Sequence, residues 1–271
     1  MNDALAAWSR GRLIEVEAAL AEVCADAEPG LREALRYPIQ TGGKRIRPLL
    51  CLAAAESVAA DGAAALQPAL ALELVHTYSL VHDDLPAMDD DNERRGRPTV
   101  HVVFGEATAI LVGDALLTAA FEHVADSPTL VRELARAAGG AGMVGGQYLD
   151  IRGNVDGIDA LKHLHRLKTG ALLRASVRMG GIVGGASAAE LQALTLYGEA
   201  VGLAFQIADD VLDADEVADE AGPPSYVRLL GVQGARTEAR RLVEEAAAAV
   251  GQLPRPQVLV ALAEFVAARA F

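Results

Sequence analysis

The sequence predicts an all-α fold, on three observations. Apolar residues make up 52% of the 271 and aromatic ones only 4%, and much of the apolar share is alanine and leucine, which favour helices over sheets. Apolar residues recur at three- and four-residue steps over long windows, the signature of a helix with one buried stripe. No segment sustains the period-two alternation of a half-buried strand.

The elements follow in order. Residues 1–25 read as one amphipathic helix, which "EPG" at 28–30 breaks. "TGGKRIRP" at 41–48 reads as a loop and a helix start. Residues 65–82 are apolar and helical, with Pro68 close to the beginning, where proline is tolerated. Pro86 then interrupts helix geometry inside an acidic run. Helices are expected over 106–124, 129–147 and 160–183. Residues 189–213 are the clearest case, because Leu191, Leu194, Val201, Phe205, Ala208 and Leu212 fall at three- and four-residue steps or their sum. "EAGPPS" at 220–225 is a turn, and two further helices complete the chain. With no repeat, low-complexity tail or Ser/Pro-rich linker, residues 1–271 are expected to form one domain.

Net charge is −13, which counts against nucleic acid as a partner, since a polyanion binder is basic. A small anionic ligand is still allowed, because local groups decide its binding. Cys24 and Cys51 are widely separated and read as reduced core residues. The first residues carry scattered acids and no uninterrupted apolar core, and no uncharged apolar run is long enough to span a bilayer. No membrane span and a cytoplasmic location are therefore expected.

Two acidic clusters stand out. "DDLPAMDDDNERRGRP" at 83–98 runs from acids into arginines. "QIADDVLD" at 206–213 places Gln206, Asp209, Asp210 and Asp213 at i, i+3, i+4 and i+7, one polar stripe on a helix. Like charges at that spacing destabilise a helix by roughly 0.2–0.5 kcal/mol per pair, so water, basic neighbours or cations must offset them. Either cluster alone reads as a solvated acidic face. Two together, each at the edge of an apolar helix, suit Mg²⁺ with retained waters and do not suit zinc. Mg²⁺ held this way commonly shares its shell with substrate phosphates. Cations that could take the remaining charge are at hand: Arg94 and Arg95 after the first cluster, Lys44, Arg45 and Arg47 in "GGKRIRP", and Lys168 beside Thr169 in "KTGALLRA".

"GGKRIRP", "LVHTYSLVHDDLPAMDD", "RRGRPTVH", "GGQYLD", "HRLKTGALLRAS" and "FQIADDVLD" occur in this order across nearly the whole chain. Together they resemble the trans-isoprenyl diphosphate synthases, and most closely the bacterial farnesyl or geranyl diphosphate synthases. The resemblance implies an isoprenoid-synthase helical bundle around a deep central cavity, usually a homodimer. It implies condensation of isopentenyl diphosphate with an allylic diphosphate, dimethylallyl or geranyl, to farnesyl diphosphate. Asp83, Asp84 and Asp89 resemble one Mg²⁺-binding set and Asp209, Asp210 and Asp213 the other, holding three ions when diphosphate is bound. Arg94, Lys168 and Gln206 resemble contacts to the allylic substrate. Lys44, Arg47, His76 and Arg95 resemble the isopentenyl diphosphate site. Thr169 and the Lys168 carbonyl would face the developing cation, with Gln147 and Asp150 as a supporting shell. Tyr78, five residues before Asp83, and its neighbour Ser79 resemble chain-length positions of the farnesyl-forming type.

One region departs from the family pattern. After Asp213 the family has a longer loop with glycines and lysines, whereas residues 214–231 here are short, acidic and free of lysine. That departure supports an alternative, a regulatory paralogue or partner-dependent subunit of reduced or no activity.

Overall fold

The computed structural model describes residues 3–58, 61–153, 155–216 and 224–268, the side chains of 213–216 and 267 excepted. Among them, thirteen helices succeed one another: α1 (Asp3–Glu22), α2 (Pro29–Gln40), α3 (Ile46–Ser57), α4 (Leu66–Asp83), α5 (Val100–Phe104), α6 (Glu106–Glu122), α7 (Pro128–Ala138), α8 (Met143–Arg152), α9 (Gly157–His165), α10 (Ala171–Val183), α11 (Ala188–Glu216), α12 (Tyr226–Val250) and α13 (Gln257–Ala267). The all-α expectation holds, and none of these helices is long and apolar enough to cross a membrane.

Two apolar clusters share a wall. Cys51, Leu52 and Ala55 of α3 and Leu172, Ala175 and Met179 of α10 face a core completed by α1, α2, α4, α6 and α7. Ile46, Leu50 and Ala53 of α3 and Leu173 and Val177 of α10 face a second core with α11, α12 and α13. A helix that is apolar all round is a buried one, and α3 is buried along nearly its whole length. Each fully buried leucine in such a wall stabilises by roughly 1.5–3 kcal/mol.

Four local details depart from the sequence expectation. The helix expected over 129–147 is two, because residues 139–142, "GGAG", separate α7 from α8. α7 has its own start, with the Ser127 hydroxyl accepting from the Leu130 amide and Pro128 opening the first turn. The helix expected over 160–183 does run on from α9 to α10, but as a π-turn at Arg166–Gly170. Such bulges concentrate at functional sites, and this one carries Lys168 and Thr169. On α11, Leu194, Val201 and Ala208 are buried as expected, while Leu212 is exposed. Finally, β1 (Glu93–Arg94) and β2 (Arg97–Pro98) form a short antiparallel hairpin. Its two turn residues, Arg95 and Gly96, have φ of 56° and 73°, the paired positive angles that match strand twist. Two-residue strands are too short to show alternation in sequence.

Candidate active site

α4 delivers the first acidic cluster. It ends at Asp83, and Pro86 prevents continuation. The chain instead curls back: the Asp89 amide donates to the Asp83 carbonyl at 2.9 Å, and the Met88 amide to the Leu85 carbonyl at 2.8 Å. Asp83 and Asp89 are thereby drawn together. Burial pushes the Asp83 carboxyl up to about 6; Lys168 opposes the shift, as does Arg94, while Asp89 and Asp84 reinforce it. Asp84 goes elsewhere. It is 4% exposed, and Arg94 Nε donates to its Oδ1 at 2.6 Å. Burial still raises the Asp84 carboxyl, against that ion pair. Asp83, Asp84 and Asp89 stay within electrostatic reach of one another, though among the described residues no three acids, histidines or cysteines already gather on one centre. In this state Arg94 is the positive partner of Asp84.

α11 delivers the second cluster, and part of it is engaged in a hydrogen-bonded chain. The Thr169 hydroxyl donates to Gln206 Oε1 at 3.0 Å, the Gln206 amide to Asp210 Oδ1 at 3.3 Å, and the Tyr226 backbone N–H to Asp210 Oδ2 at 2.7 Å. Asp210 so holds the start of α12 against α11 and the π-turn. The field of Asp209 reaches the Arg47 guanidinium. The Asp213 side chain, and the acidic segment that follows over 217–223, lie outside the described residues. Lys168 pairs with Asp150 of α8. On the same helix both polar atoms of the Gln147 amide are buried without a hydrogen-bond partner.

The basic residues separate into two kinds. Arg45, 3% exposed, is consumed structurally: Nε bonds Glu17 at 2.7 Å, Nη1 bonds Glu73 at 2.8 Å, and Nη2 bonds the Ile39 carbonyl at 2.6 Å. Arg47 is buried, and its Nε has no partner. Burial pulls its pKa down to about 10; Glu73 opposes this, Arg95 reinforces it and Asp209 opposes it. His76 is held neutral, far below its ordinary value, by burial and then by Arg47, Arg95, Arg45 and Arg94. Arg95 donates to the Gly42 carbonyl and leans on Gly43, whose φ of 154° favours glycine there. Lys44 is exposed on the same loop. His76, Asp84, Arg94 and Arg95 line one cleft with Glu73 and Tyr37. Arg94 lines this cleft, and it also acts together with Lys168 on the Asp83 carboxyl. Among the described residues Cys24, Arg45, Asp90 and Arg95 have positive φ, a strain of about 1–2 kcal/mol each, and of these Arg95 lines the cleft.

Sequence reasoning did not single out Glu73, the internal counter-ion of this arginine group, because a lone acid in an apolar helix has no motif. It also passed over Tyr37, whose hydroxyl donates to the Pro98 carbonyl at 2.7 Å and whose ring lies 5.1 Å below the Arg97 guanidinium. His165 was missed as well; its ring stacks on that of Tyr226, 5.6 Å apart. Tyr78 is 7% exposed and meets the His82 ring edge-on. Ser79 is half-buried and turns its hydroxyl onto the His76 carbonyl at 2.9 Å.

His165 gives a pH prediction. Burial holds its pKa down to about 4, with Asp150 opposing and Lys168 reinforcing, and its Nδ1 is buried without a partner. The unfolded chain takes a proton near 6.5, so the folded state loses stability as pH falls from there toward 4, by up to about 3 kcal/mol. Asp83, whose pKa is raised, contributes the opposite slope up to about 6. Denaturant unfolding of the wild type and of His165→Phe, which keeps a ring against Tyr226, isolates the histidine. The variant should lack its share of the acid loss; parallel pH profiles would dismiss this role.

A helical bundle that brings two acidic clusters and a group of arginines into one region is the architecture of the isoprenoid synthases. The chain matches the family model for polyprenyl synthetase over residues 28–226. It is 44% identical to geranylgeranyl pyrophosphate synthase 12, chloroplastic, of Arabidopsis thaliana over 88% of this chain and 74% of that one. It is 40% identical to a chloroplastic geranylgeranyl pyrophosphate synthase of Catharanthus roseus, over 97% of this chain and 81% of that one. Among solved structures, an apo FPP/GFPP synthase from Zymomonas mobilis superposes with a TM-score of 0.89 at 36% identity, over 98% of this chain and 100% of that one. This chain belongs to the polyprenyl synthetase family.

Proposed function

We propose that the protein is a trans-prenyltransferase that joins isopentenyl diphosphate to an allylic diphosphate. The observation that carries this reading is Arg47. Its guanidinium is buried, its Nε has no partner, and it feels the charges of Glu73, Arg95 and Asp209. A buried unpartnered donor costs roughly 1–3 kcal/mol, which a bound anion would recover. Gln147, with both amide atoms unsatisfied, makes the same argument from α8.

Mg²⁺ fits the acids. Asp83, Asp89 and Asp209 offer only carboxylate oxygens, and burial, with Asp89 and Asp84, raises the Asp83 carboxyl against Lys168 and Arg94, a penalty that a bound cation would offset. These residues would hold the ions; the resemblance adds Asp210 and Asp213, and Asp84 once it leaves Arg94. Bound there, Mg²⁺ would neutralise charge on the departing diphosphate. The chain's own groups do the rest. Lys168 and Arg94 would bind the allylic diphosphate. Lys44, Arg47, His76 and Arg95 would orient isopentenyl diphosphate. The allylic C–O bond breaks with its electron pair leaving on diphosphate, the isopentenyl double bond forms the new C–C bond, and one proton is lost to the released diphosphate. Thr169, held by Gln206, would present its oxygen to the cation.

Farnesyl diphosphate is the proposed product, supported by the bulk of buried Tyr78. Geranylgeranyl diphosphate is the second reading, favoured by the names of the plant relatives. The inactive-subunit alternative has only the lysine-free segment behind it. A homodimer is also proposed, supported by the exposed apolar side chains Val102, Val103, Ile110 and Leu111 on α5 and α6.

The test is incubation of the purified protein with isopentenyl diphosphate, Mg²⁺ and dimethylallyl or geranyl diphosphate, with products resolved by chain length. A C15 product is expected. A C20 product would transfer the assignment to the second reading, and no elongation by folded protein would end the enzyme reading.

A further inference from the structure

Tyr78 does not stand alone in the fold. His82 lies one turn later on α4, on the same face, and its ring meets the Tyr78 ring at 82° with centroids 5.8 Å apart. Edge-to-face pairs of this kind prefer a defined mutual orientation. The His82 ring is itself pinned. Its Nε2 lies 3.1 Å from the Ile110 carbonyl of α6, so Nε2 carries the proton and donates.

The room for that ring comes from α6. A Cβ at Gly113 would fall inside the imidazole, 2.6 Å from Cε1 and nearer still to Nε2 and Cδ2. The packing of α4 on α6 uses this gap: Ala109, Val112, Leu116 and Ala120 on the same side of α6 are wholly buried. A pinned ring cannot swing aside as a flexible chain end could. The Tyr78 ring therefore has one flank set by His82, and His82 is set by Gly113 and Ile110.

We infer that His82 is a specificity-determining residue, a buttress held on the Ile110 carbonyl in the space left by Gly113, which fixes the Tyr78 ring and so the prenyl chain length that the site accepts. This rests on the reading that Tyr78 limits the product. His82 touches no reacting atom in this account; it acts through Tyr78, as a positioning residue.

The experiment compares product-length distributions from isopentenyl and geranyl diphosphates with Mg²⁺ for wild type, Tyr78→Ala, His82→Ala, Gly113→Ala and the His82→Ala/Gly113→Ala double variant. Tyr78→Ala is expected to lengthen the product. His82→Ala should raise the ratio of longer to shorter product by about fivefold or more, a modest pocket effect, with KM for both substrates within about twofold of wild type. Gly113→Ala should push the ring out and shift products the same way. Where Gly113→Ala does not fold, the double variant should, since the missing ring leaves space for the added methyl. Its products should match those of His82→Ala, as residues that act through one contact are not additive. A longer product from Tyr78→Ala with wild-type products from His82→Ala overturns the buttress and leaves Tyr78 in place. Unchanged products from Tyr78→Ala overturn both. Loss of all turnover in folded His82→Ala also overturns the inference, since it would put His82 in the reaction itself.

Discussion

Asp83→Ala is expected to lower kcat by about two to three decades while thermal stability at pH 8 does not fall. The rate estimate is the usual effect of removing one group that stabilises charge in a transition state. The stability expectation comes from the position of Asp83. It is the last residue of α4, where the helix dipole already favours cations. It is partly buried, and Asp89 and Asp84 add like charge. Its carboxyl is pushed up to about 6, so between about 4 and 6 the folded state holds the proton more tightly than the unfolded chain does, and stability falls as pH rises through that window. An ionised Asp83 is thus a cost to the metal-free fold above pH 6. Such a cost at an active site is kept for function and removed with little harm to folding. Turnover with and without added Mg²⁺, read beside a melting curve, checks both halves. Near-normal rates would remove Asp83 from the metal set, and a collapsed Tm would make it a structural residue.

Glu73→Ala is expected to destabilise the protein by about 3–5 kcal/mol, the usual effect of breaking a buried ion pair from one side. Glu73 is 3% exposed, and its carboxylate meets Arg45 Nη1 at 2.8 Å with both side chains shielded from water. Its charge also favours the charged forms of Arg47 and Arg95. Its loss leaves Arg45 with Glu17, which is half-exposed, and leaves the cleft arginines without an internal counter-ion. For a chain of this size the change corresponds to a fall in Tm of about 10 °C. Glu73→Gln, which keeps an acceptor for Arg45, should cost less than Glu73→Ala. A shift below about 2 °C for Glu73→Ala would show that water or Glu17 already screens the arginines.

Much of the molecule was legible because its signals are local. Helix spacing is written in residues three and four apart, so α4, α6 and α11 could be read along the chain. Arg47, His76 and Arg95 were named from motifs, and the fold does bring them together in mutual electrostatic reach. Partner choice was not legible. Arg45 and Arg47 look alike in "GGKRIRP", yet one is spent on Glu17 and Glu73, 28 residues away on either side, and the other is left with an unpartnered Nε. Asp83 and Asp84 are likewise adjacent, yet Arg94 takes only the second. Helix rotation separates neighbouring side chains by about 100°, so adjacent residues face different surroundings.

The sequence by itself determined the helical class, the two acidic clusters, the basic groups near them and the family, because propensity, periodicity and ordered motifs all act over short stretches of chain. The tertiary structure alone decided which partners particular acids take, as Asp84 takes Arg94 and Asp210 takes Gln206 and Tyr226. It alone decided that Lys168 and Thr169 ride on a π-turn, and that His82 fills the gap at Gly113 behind Tyr78. Those outcomes depend on what packs against each residue from distant parts of the chain, and on the burial that makes an unpaired charge costly there.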